Sequence, residues 1–228
     1  MQKLTLVLFA LVVVISAQAQ KKETRQVGSF ESISLGISAD LIISQGNSNS
    51  LTLEGSTDDL NKIETYVSDG KLKIKNENNS WFGNDMNDVK IYVTVVNFTG
   101  ASVSGSGNIT NSNNLKGDNI NLSVSGSGEI KIYIDCKSVD AHISGSGEIA
   151  LTGNANALQL SISGSGEFNS LEMPTNTLEA HISGSGAAKV NVKDEIDAHI
   201  SGSGRIRYSG NPLKIREKIS GSGSVKSL

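Results

Sequence analysis

Apolar and polar residues alternate along most of the chain, most strictly in its second half. Leu158, Leu160 and Ile162 are separated by Gln159 and Ser161, and a similar order recurs in the stretches that follow. Alternation with a period of two places the apolar side chains on one face of a β-strand. The pattern therefore predicts an all-β chain built from strands that are buried on one side.

A short motif, Ser-Gly-Ser-Gly, follows these strands and recurs seven times. It begins at Ser104, Ser125, Ser144, Ser163, Ser183, Ser201 and Ser220, at intervals of 18 to 21 residues. Such a period is typical of stacked repeats, which bury their apolar faces only against one another. We therefore expect a single-stranded parallel β-helix, or solenoid, with about 19 residues per coil. Most parallel crossovers are right-handed, so we expect that hand here. The apolar phase kept around every motif argues against a flexible Ser/Gly linker.

The motif glycines are predicted to be the structural residues of the repeat. Counting by twos from the apolar positions assigns the glycines to the inward phase and the serines to the outward phase. An inward glycine lets the backbone pass close to the axis and turn a corner. These glycines are Gly105, Gly107, Gly126, Gly128, Gly145, Gly147, Gly164, Gly166, Gly184, Gly186, Gly202, Gly204, Gly221 and Gly223.

The first third of the chain lacks the motif but keeps a strand-like pattern. Strands are predicted at positions 30–37, 41–43, 51–53, 72–74 and 89–95. A short helix is predicted from Asp58, as its N-cap, to Val67. We interpret residues 20–98 as irregular coils that cap one end of the solenoid, and residues 99–228 as the seven repeats. Because no shift in composition marks a linker, residues 20–228 are predicted to form one domain.

Residues 1–19 have the pattern of a secretory signal peptide. Lys3 precedes an apolar run from Leu4 to Ile15, and Ala17 and Ala19 supply the small residues that signal peptidase requires. The run is shorter than the roughly 20 apolar residues that span a bilayer, and no later segment is apolar enough. We therefore expect a protein exported through a cleaved signal peptide, located in the periplasm, the envelope or the medium, with no transmembrane segment in the mature chain.

Charge and motif content narrow the possible partners and cofactors. The net charge is −3, and no basic stripe is interleaved with aromatic residues, so nucleic acid is not an expected partner. The glycine motif lacks the third glycine of a dinucleotide loop, and a Gly-x-Ser-x-Gly nucleophile motif does not occur. No catalytic or cofactor-binding residue, and no cofactor, is predicted. Cys136 is the only cysteine, and it shares the alternation of Ile130, Ile132 and Ile134, which predicts a small core residue.

A column of histidines is the first candidate binding surface. It consists of His142, His181 and His199, each two residues before a motif on the outward phase. Asp140, Glu179 and Asp197 lie two residues earlier and are expected to partner the imidazolium forms. Because structural zinc sites normally use four ligands, we interpret the column as exposed surface and predict no metal site.

A column of glutamates is the second candidate, with an aromatic pair as the third. Glu129, Glu148 and Glu167 each follow a motif on successive repeats. Their mutual repulsion would be offset by calcium or by nearby cations such as Lys131, Lys189 and Arg205, although solvated side chains are the favoured interpretation. Trp81 and Phe82 lie in a polar loop over residues 76–88.

Taken together, these features resemble the head GIN domain family, described as putative auto-transporter adhesins. The resemblance rests on the signal peptide and Phe30-Glu31-Ser32-Ile33, on the segment from Tyr66 to Ile74, on the motifs that follow strands such as 91–95, and on Tyr208-Ser209-Gly210-Asn211-Pro212 before the last motif. It covers nearly the whole mature chain. It implies a β-helical envelope protein with no established catalytic residues.

The predicted fold and the candidate surfaces are compatible with two classes of function. The favoured one is a non-catalytic binding or adhesion module whose polar face of Ser, Glu, His and Asn binds a glycan or a surface protein. The alternative is a carbohydrate-active enzyme of the β-helix type, a polysaccharide lyase or hydrolase, which would need a carboxylate pair in a cleft or calcium beside a basic residue. The carboxylates here recur in columns instead. Ice binding by the serine ladder is a third, less favoured alternative.

The last coil is the part of the solenoid where we expect self-association. Ile215, Ile219 and Val225 belong to this coil, which we expect to leave strand edges unpaired. The charges around it give partial protection. We therefore expect a weak homo-oligomer that forms through the C-terminal coil and is favoured by salt.

Overall fold

The computed structural model describes residues 20–77 and 88–228, which form a β-solenoid of about seven turns with about 19 residues per turn. The expected all-β solenoid is thus confirmed. Residues 1–19, Trp81 and Phe82 lie outside the described residues. The strands are β1 (Lys21–Arg25), β2 (Ser32–Gly36), β3 (Asp40–Gln45), β4 (Ser50–Gly55), β5 (Ile63–Ser68), β6 (Lys71–Asn76), β7 (Lys90–Val95), β8 (Gly100–Gly105), β9 (Asn108–Asn111), β10 (Leu115–Gly126), β11 (Glu129–Gly145), β12 (Glu148–Asn154), β13 (Ala157–Gly164), β14 (Glu167–Gly184), β15 (Ala187–Gly202), β16 (Arg205–Ser209), β17 (Lys214–Gly221) and β18 (Ser224–Ser227).

The repeats stack in parallel and in register, so that equivalent residues of successive coils lie side by side. We call each coil of this stack a rung. The first serines of all seven motifs form one continuous ladder, from Ser104 to Ser220. We call the strands that end at the motif the first wall; they are β8, β17 and the C-terminal parts of β10, β11, β13, β14 and β15. The strands that begin after the motif form the second wall; they are β9, β12, β16, β18 and the N-terminal parts of β11, β14 and β15.

The motif turns the chain between the two walls, and its two glycines do so for different reasons. The first glycine has a positive φ in all seven copies, for example 114° at Gly164. The second glycine is buried in six of the seven copies, and at Gly166 an added Cβ would lie 2.4 Å from Cγ2 of Ile143. The inward assignment therefore holds for Gly166, whereas an added Cβ at Gly164 would meet the backbone of the neighbouring rung instead.

Backbone hydrogen bonds continue through the corner without interruption. The amide of Ser165 donates to the carbonyl of Gly145 at 2.9 Å, and the amide of Glu167 donates to the carbonyl of Gly147 at 3.0 Å. The same two bonds recur at the other stacked motifs. Because the buried backbone groups stay paired at the bend, the sheet can turn without leaving polar groups unsatisfied.

The N-terminal strands stack in an order that differs from their order along the chain. The pair β2 and β3 lies in parallel against β8 and β9, and β6 and β7 then lie against the other edges of β2 and β3. Antiparallel strands cover this end: β5 pairs with β6, β4 with β7, and β1 with β4. The parallel stack thus ends at three antiparallel strand pairs, of which β5 and β6 form a hairpin.

The predicted helix over residues 58–67 is wrong beyond its first turn. The helix α1 spans Thr57–Leu60 only, and Ser56 rather than Asp58 caps it by accepting from the amide of Asp59 at 3.1 Å. The following residues form β5, where Ile63, Thr65 and Val67 alternate with polar neighbours and favour a strand because they are β-branched. No helix in the described part of the chain is long and apolar enough to cross a membrane.

A two-residue turn fixes the hairpin that replaces the predicted helix. Asp69 and Gly70 both have positive φ, 54° and 70°, and they join β5 to its antiparallel partner β6. Asp-Gly between two strands is a strong hairpin signal, because both central residues of this turn type need positive φ. The turn therefore decides the conformation of residues 63–68.

The core is a continuous stack of inward side chains. The isoleucines before the motif, including Ile143, Ile162, Ile182 and Ile200, are each 2% exposed. Cys136 is half-buried and packs against this core, as the alternation predicts. Burial raises the pKa of the Cys136 thiol to about 11, and the charge of Asp135 acts in the same direction, so the thiol stays protonated at neutral pH.

Asp135 is held between two asparagines of the adjacent rungs. Asn154 donates to its Oδ1 at 2.8 Å, and Asn114 donates to its Oδ2. These two hydrogen bonds lower the pKa of the Asp135 carboxyl, and the bond from Asn154 has the larger effect. A folded-state pKa below the unfolded value of about 3.9 means that the carboxylate stabilises the fold above that pH and loses this contribution as the pH falls through the folded-state pKa.

The substitution Asp135→Asn is therefore expected to lower the melting temperature at pH 7 by a few degrees. The variant places an amide where two amide donors converge, so one donor is left without an acceptor. The difference between wild type and variant should begin to shrink below about pH 4 and should be lost below the lowered folded-state pKa, where Asp135 is protonated in the folded wild type as well. Thermal unfolding from pH 7 to pH 2.5 measures it; a difference that is independent of pH would contradict the assigned role.

Candidate binding face

The histidine column lies on the outward side of the first wall, in a single register. His142, Ser161, His181, His199 and Lys218 occupy equivalent positions on five successive rungs. The rings of His181 and His199 are direct neighbours, with centroids 5.1 Å apart and planes tilted by 31°. The strand alternation puts these side chains outside, because the residues before and after each of them point into the core.

Each histidine pairs with the acidic residue two positions earlier on its own strand, as the sequence predicts. Nε2 of His142 lies 2.9 Å from Asp140, that of His181 lies 3.3 Å from Glu179, and that of His199 lies 3.2 Å from Asp197. Residues two apart on a strand share a face, which brings each pair together. The column thus consists of repeated acid–imidazole pairs, all of them partly exposed.

An arginine on the last rung joins the acidic side of this column. Nε of Arg216 donates to Asp197 at 3.0 Å, and the guanidinium also contacts Glu195. The Arg216 hydrogen bond is the main cause that lowers the pKa of the Asp197 carboxyl, and His199 acts in the same direction. Asp197 therefore stays ionised well into the acidic range, and the face keeps fixed charges of both signs.

A shallow groove runs along these residues. It has a volume of about 530 Å³ and spans the rungs from Ser123 to Lys218 and Ser220. Its walls combine the histidine column with the column of first motif serines, which are exposed on every rung. Hydroxyl groups thus recur at the spacing of neighbouring strands, about 4.8 Å, and imidazoles occur on three of the rungs. Isoleucines also line the groove, namely Ile143, Ile162, Ile182 and Ile200. We call this surface the histidine face.

A second groove extends the same face toward the N-terminal strands. It has a volume of about 300 Å³ and is lined by residues including Ser32, Lys71, Ser102 and Asn121, and it meets the first groove at His142. The histidine position continues here as Ser123, Ser102 and Ser34. The polar column therefore runs on to rungs that carry no histidine.

The glutamate column lies on the second wall, away from the histidine face. Glu129, Glu148 and Glu167 are paired in register on three successive rungs. None of them forms an ion pair within residues 20–77 and 88–228, and no group of three or more metal-ligating side chains occurs in that part of the chain. The structure thus brings the three glutamates together without a counter-charge.

Two residues of the histidine face were missed in the sequence. Lys218 lies two residues before the last motif, which is the position that the histidines occupy, and Arg216 lies at the position of their acidic partners. A comparison of every residue at these repeat positions, rather than of histidines alone, would have found them.

The fold is similar to that of several solved structures. Among solved structures, a putative adhesin from Bacteroides fragilis is 25% identical with a TM-score of 0.86, over 93% of this chain and 98% of that chain. A putative lipid binding protein from Parabacteroides distasonis is 24% identical with a TM-score of 0.76, over 93% and 98%. A putative adhesin from Parabacteroides merdae is 20% identical with a TM-score of 0.73, over 93% and 97%.

Comparison with functionally curated proteins finds no match. The family model described as putative auto-transporter adhesin, head GIN domain, matches residues 29–212, which include β2 to β16 and six of the seven motifs. The match covers the walls, the corner and most of the histidine face. The chain therefore belongs to the head GIN domain family of putative auto-transporter adhesins.

Proposed function

We propose that the protein is a non-catalytic, adhesion-type binding module that acts in the cell envelope or outside the cell, and that its histidine face binds a glycan or a surface protein. The observation that carries the proposal is the groove of about 530 Å³ in which polar columns recur in register on successive rungs. Membership of a family named for adhesins supports it. Hydroxyl groups on successive rungs, with imidazoles on three of them, suit an extended ligand whose polar groups recur along its length.

The carboxyl groups whose pKa values are shifted are consistent with a non-catalytic role. In residues 20–77 and 88–228, the carboxyl groups with a shifted pKa are Glu23, Glu54, Asp135 and Asp197, and all four are shifted downward. A general acid in glycoside hydrolysis needs a carboxyl group whose pKa is raised. These four groups are instead held as carboxylates by hydrogen-bond donors.

A glycan array probed with the purified protein tests the proposal. The test variant is His181→Ala combined with His199→Ala, and the matched control is Glu129→Ala combined with Glu148→Ala on the second wall. We expect the wild type and the glutamate variant to bind the same glycans and the histidine variant to lose them. Loss in the glutamate variant alone would contradict the assignment to the histidine face, and turnover of a polysaccharide by the wild type would contradict the non-catalytic role.

Weak self-association through the C-terminal rung is a further part of the proposal. Ile215 and Ile219 on β17 are 41% and 36% exposed, although the equivalent residues of the preceding rung are buried. Glu217 pairs in register with the buried Ala198 and so places a charge in the inward phase. An inward charge on an edge strand opposes further strand pairing.

We therefore expect the wild type to associate weakly and Glu217→Ala to associate more strongly, because alanine restores the inward pattern of the preceding rung. Light scattering across a salt series measures the mean mass at several concentrations. Association of both proteins should increase with salt, which screens the charges around β17. A mass that stays monomeric for Glu217→Ala at high salt and high concentration would exclude this surface.

A further inference from the structure

The second wall carries a line of cations at its C-terminal end. Lys189, Arg207 and Lys226 are paired in register on three successive strands, and all three side chains are exposed. Arg205 lies two residues before Arg207 on the same strand and is also exposed. We call these four residues the cation ladder. Two strand spacings of about 4.8 Å give it a length of about 10 Å.

The strand segments that carry this ladder contain no acidic residue. Residues 187–191, 205–209 and 224–228 contain no Asp or Glu. None of the four cations takes part in an ion pair within the described ranges 20–77 and 88–228, whereas Lys214 and Arg216 on the first wall both pair with Glu195. Like charges that lie opposite one another on neighbouring strands destabilise a sheet. Folding alone therefore gives no reason for the arrangement, and an external anion would relieve it.

The ladder also has a defined boundary. On the preceding rungs its column continues as Asn169 and Ala150, and beside that column lie Glu167 and Glu148. An anionic ligand is therefore attracted to the three C-terminal rungs and repelled by the rungs before them. This change of sign, on a protein whose net charge is −3, makes the ladder a local site rather than part of a basic surface.

The shape of the ladder favours a linear ligand over a planar one. The cations form a stripe one to two residues wide, and its neighbours Ala187, Asn191 and Ser209 are small or polar side chains. Such neighbours can contact sugar hydroxyl groups. Leu228, which is 62% exposed and whose amide donates to the carbonyl of Tyr208, is a single apolar side chain at the edge of the stripe, whereas a surface that inserts into a bilayer presents a whole apolar face. A sugar unit in an extended chain is about as long as one rung, so charges that recur along the chain can face successive cations.

We propose that the cation ladder binds a linear anionic polysaccharide with carboxylate groups that recur along the chain, and that it does so independently of the histidine face. Lys189, Arg207 and Lys226 each contact one carboxylate, and Arg205 adds a second donor beside Arg207. Exposed ion pairs are individually weak, so affinity depends on several contacts formed together and falls as salt is added.

Binding of de-esterified polygalacturonate by the intact protein tests the proposal. Fully methyl-esterified polygalacturonate is the matched ligand, because it keeps the backbone and lacks the charges. The test variant is Lys189→Gln with Arg207→Gln. The control variant is Lys131→Gln with Lys116→Gln, which changes the net charge equally; Lys131 lies in the same column outside the ladder. Isothermal titration measures affinity at low and physiological salt, and circular dichroism checks that each variant is folded.

We expect the wild type and the control variant to bind only the charged polymer, and the test variant to bind it about 2- to 30-fold more weakly, which corresponds to two exposed ion pairs. Equal binding of the two polymers, or equal weakening in both variants, would overturn the proposal. Binding of phosphatidylglycerol vesicles without binding of polygalacturonate would also overturn it, in favour of a membrane surface. Because the histidine face is intact in every variant, failure here leaves the glycan-array result unaffected.

Discussion

Replacement of Gly166 by valine is expected to lower the free energy of unfolding by at least about 3 kcal/mol, the upper part of the range for overpacked cores. The glycine is buried where the chain turns between the two walls, and even a Cβ would lie 2.4 Å from Cγ2 of Ile143 and 2.9 Å from the carbonyl oxygen of Gly147. Two further methyl groups cannot fit unless the adjacent rung moves. For a domain of this size the change corresponds to a fall in melting temperature of about 6–12 °C.

Replacement of Gly164 by valine is expected to have an effect of similar size for a different reason. The φ of Gly164 is 114°, which β-branched residues avoid, and an added Cβ would lie 2.6 Å from the carbonyl oxygen of Gly145. That carbonyl accepts the backbone hydrogen bond from Ser165, so the strain would act on the corner itself. The variant therefore tests the conformation of the turn, whereas Gly166→Val tests its packing.

The serines between these glycines provide the matched control. Ser163 and Ser165 are exposed, and alanine at either position is expected to change stability by no more than about 0.5 kcal/mol. Thermal and urea unfolding of all four variants measures the difference. Similar unfolding transitions for the glycine and serine variants would contradict the geometry described for the corner.

The second large effect is expected for Leu160→Ala, at about 4–5 kcal/mol, the upper end of the range for such substitutions. Leu160 is 1% exposed, and its in-register neighbours are Ala141 and Ala180. Because Ala180 is itself followed by Ala198, the variant would have four alanines in a row, and they would leave a cavity that no neighbouring side chain of the column can fill. The size of the cavity, rather than the lost leucine alone, is expected to decide the loss of stability.

Leu158→Ala is the control for that argument, because Leu158 is equally buried but has Val139 and Leu178 as its neighbours in the column. We expect a smaller loss, about 2–3 kcal/mol, since the larger neighbours can move into part of the space. Urea unfolding of both variants measures the two losses. A larger loss for Leu158→Ala than for Leu160→Ala would show that the composition of the column does not control the core.

The stacking of the repeats could be predicted because two periodic signals agree. The alternation of apolar residues fixes which side chains are buried, and the recurring glycines fix where each coil turns. His181 and His199 occupy equivalent positions relative to their motifs, so their contact follows from the stacking alone. The acid–imidazole pairs follow in the same way from their spacing of two residues.

The N-terminal third could not be predicted in the same detail because it has no repeat. The β-branched residues of 63–67 fit a helical period through Leu60 and Ile63 as well as a strand period, and the Asp69–Gly70 turn decides between them. The insertion of β2 between β6 and β8, and of β3 between β7 and β9, depends on pairing between distant segments, which a pattern within one strand does not encode. The ion pairs of Arg216 with Glu195 and Asp197 likewise depend on which rungs become neighbours.

The inserted position of β2 and β3 has a consequence for the order of folding. Neighbouring coils of the repeat region meet at sequence separations near 19 residues, but Asp40 meets Asn108 across 68 residues. Contacts of such long range close large loops and slow folding. As the chain is synthesised, β2 and β3 must therefore wait for β8 and β9 before both of their edges are paired. We expect the central coils to serve as the template on which the N-terminal strands assemble last, so that the first part of the chain to be made is the last to acquire its native contacts.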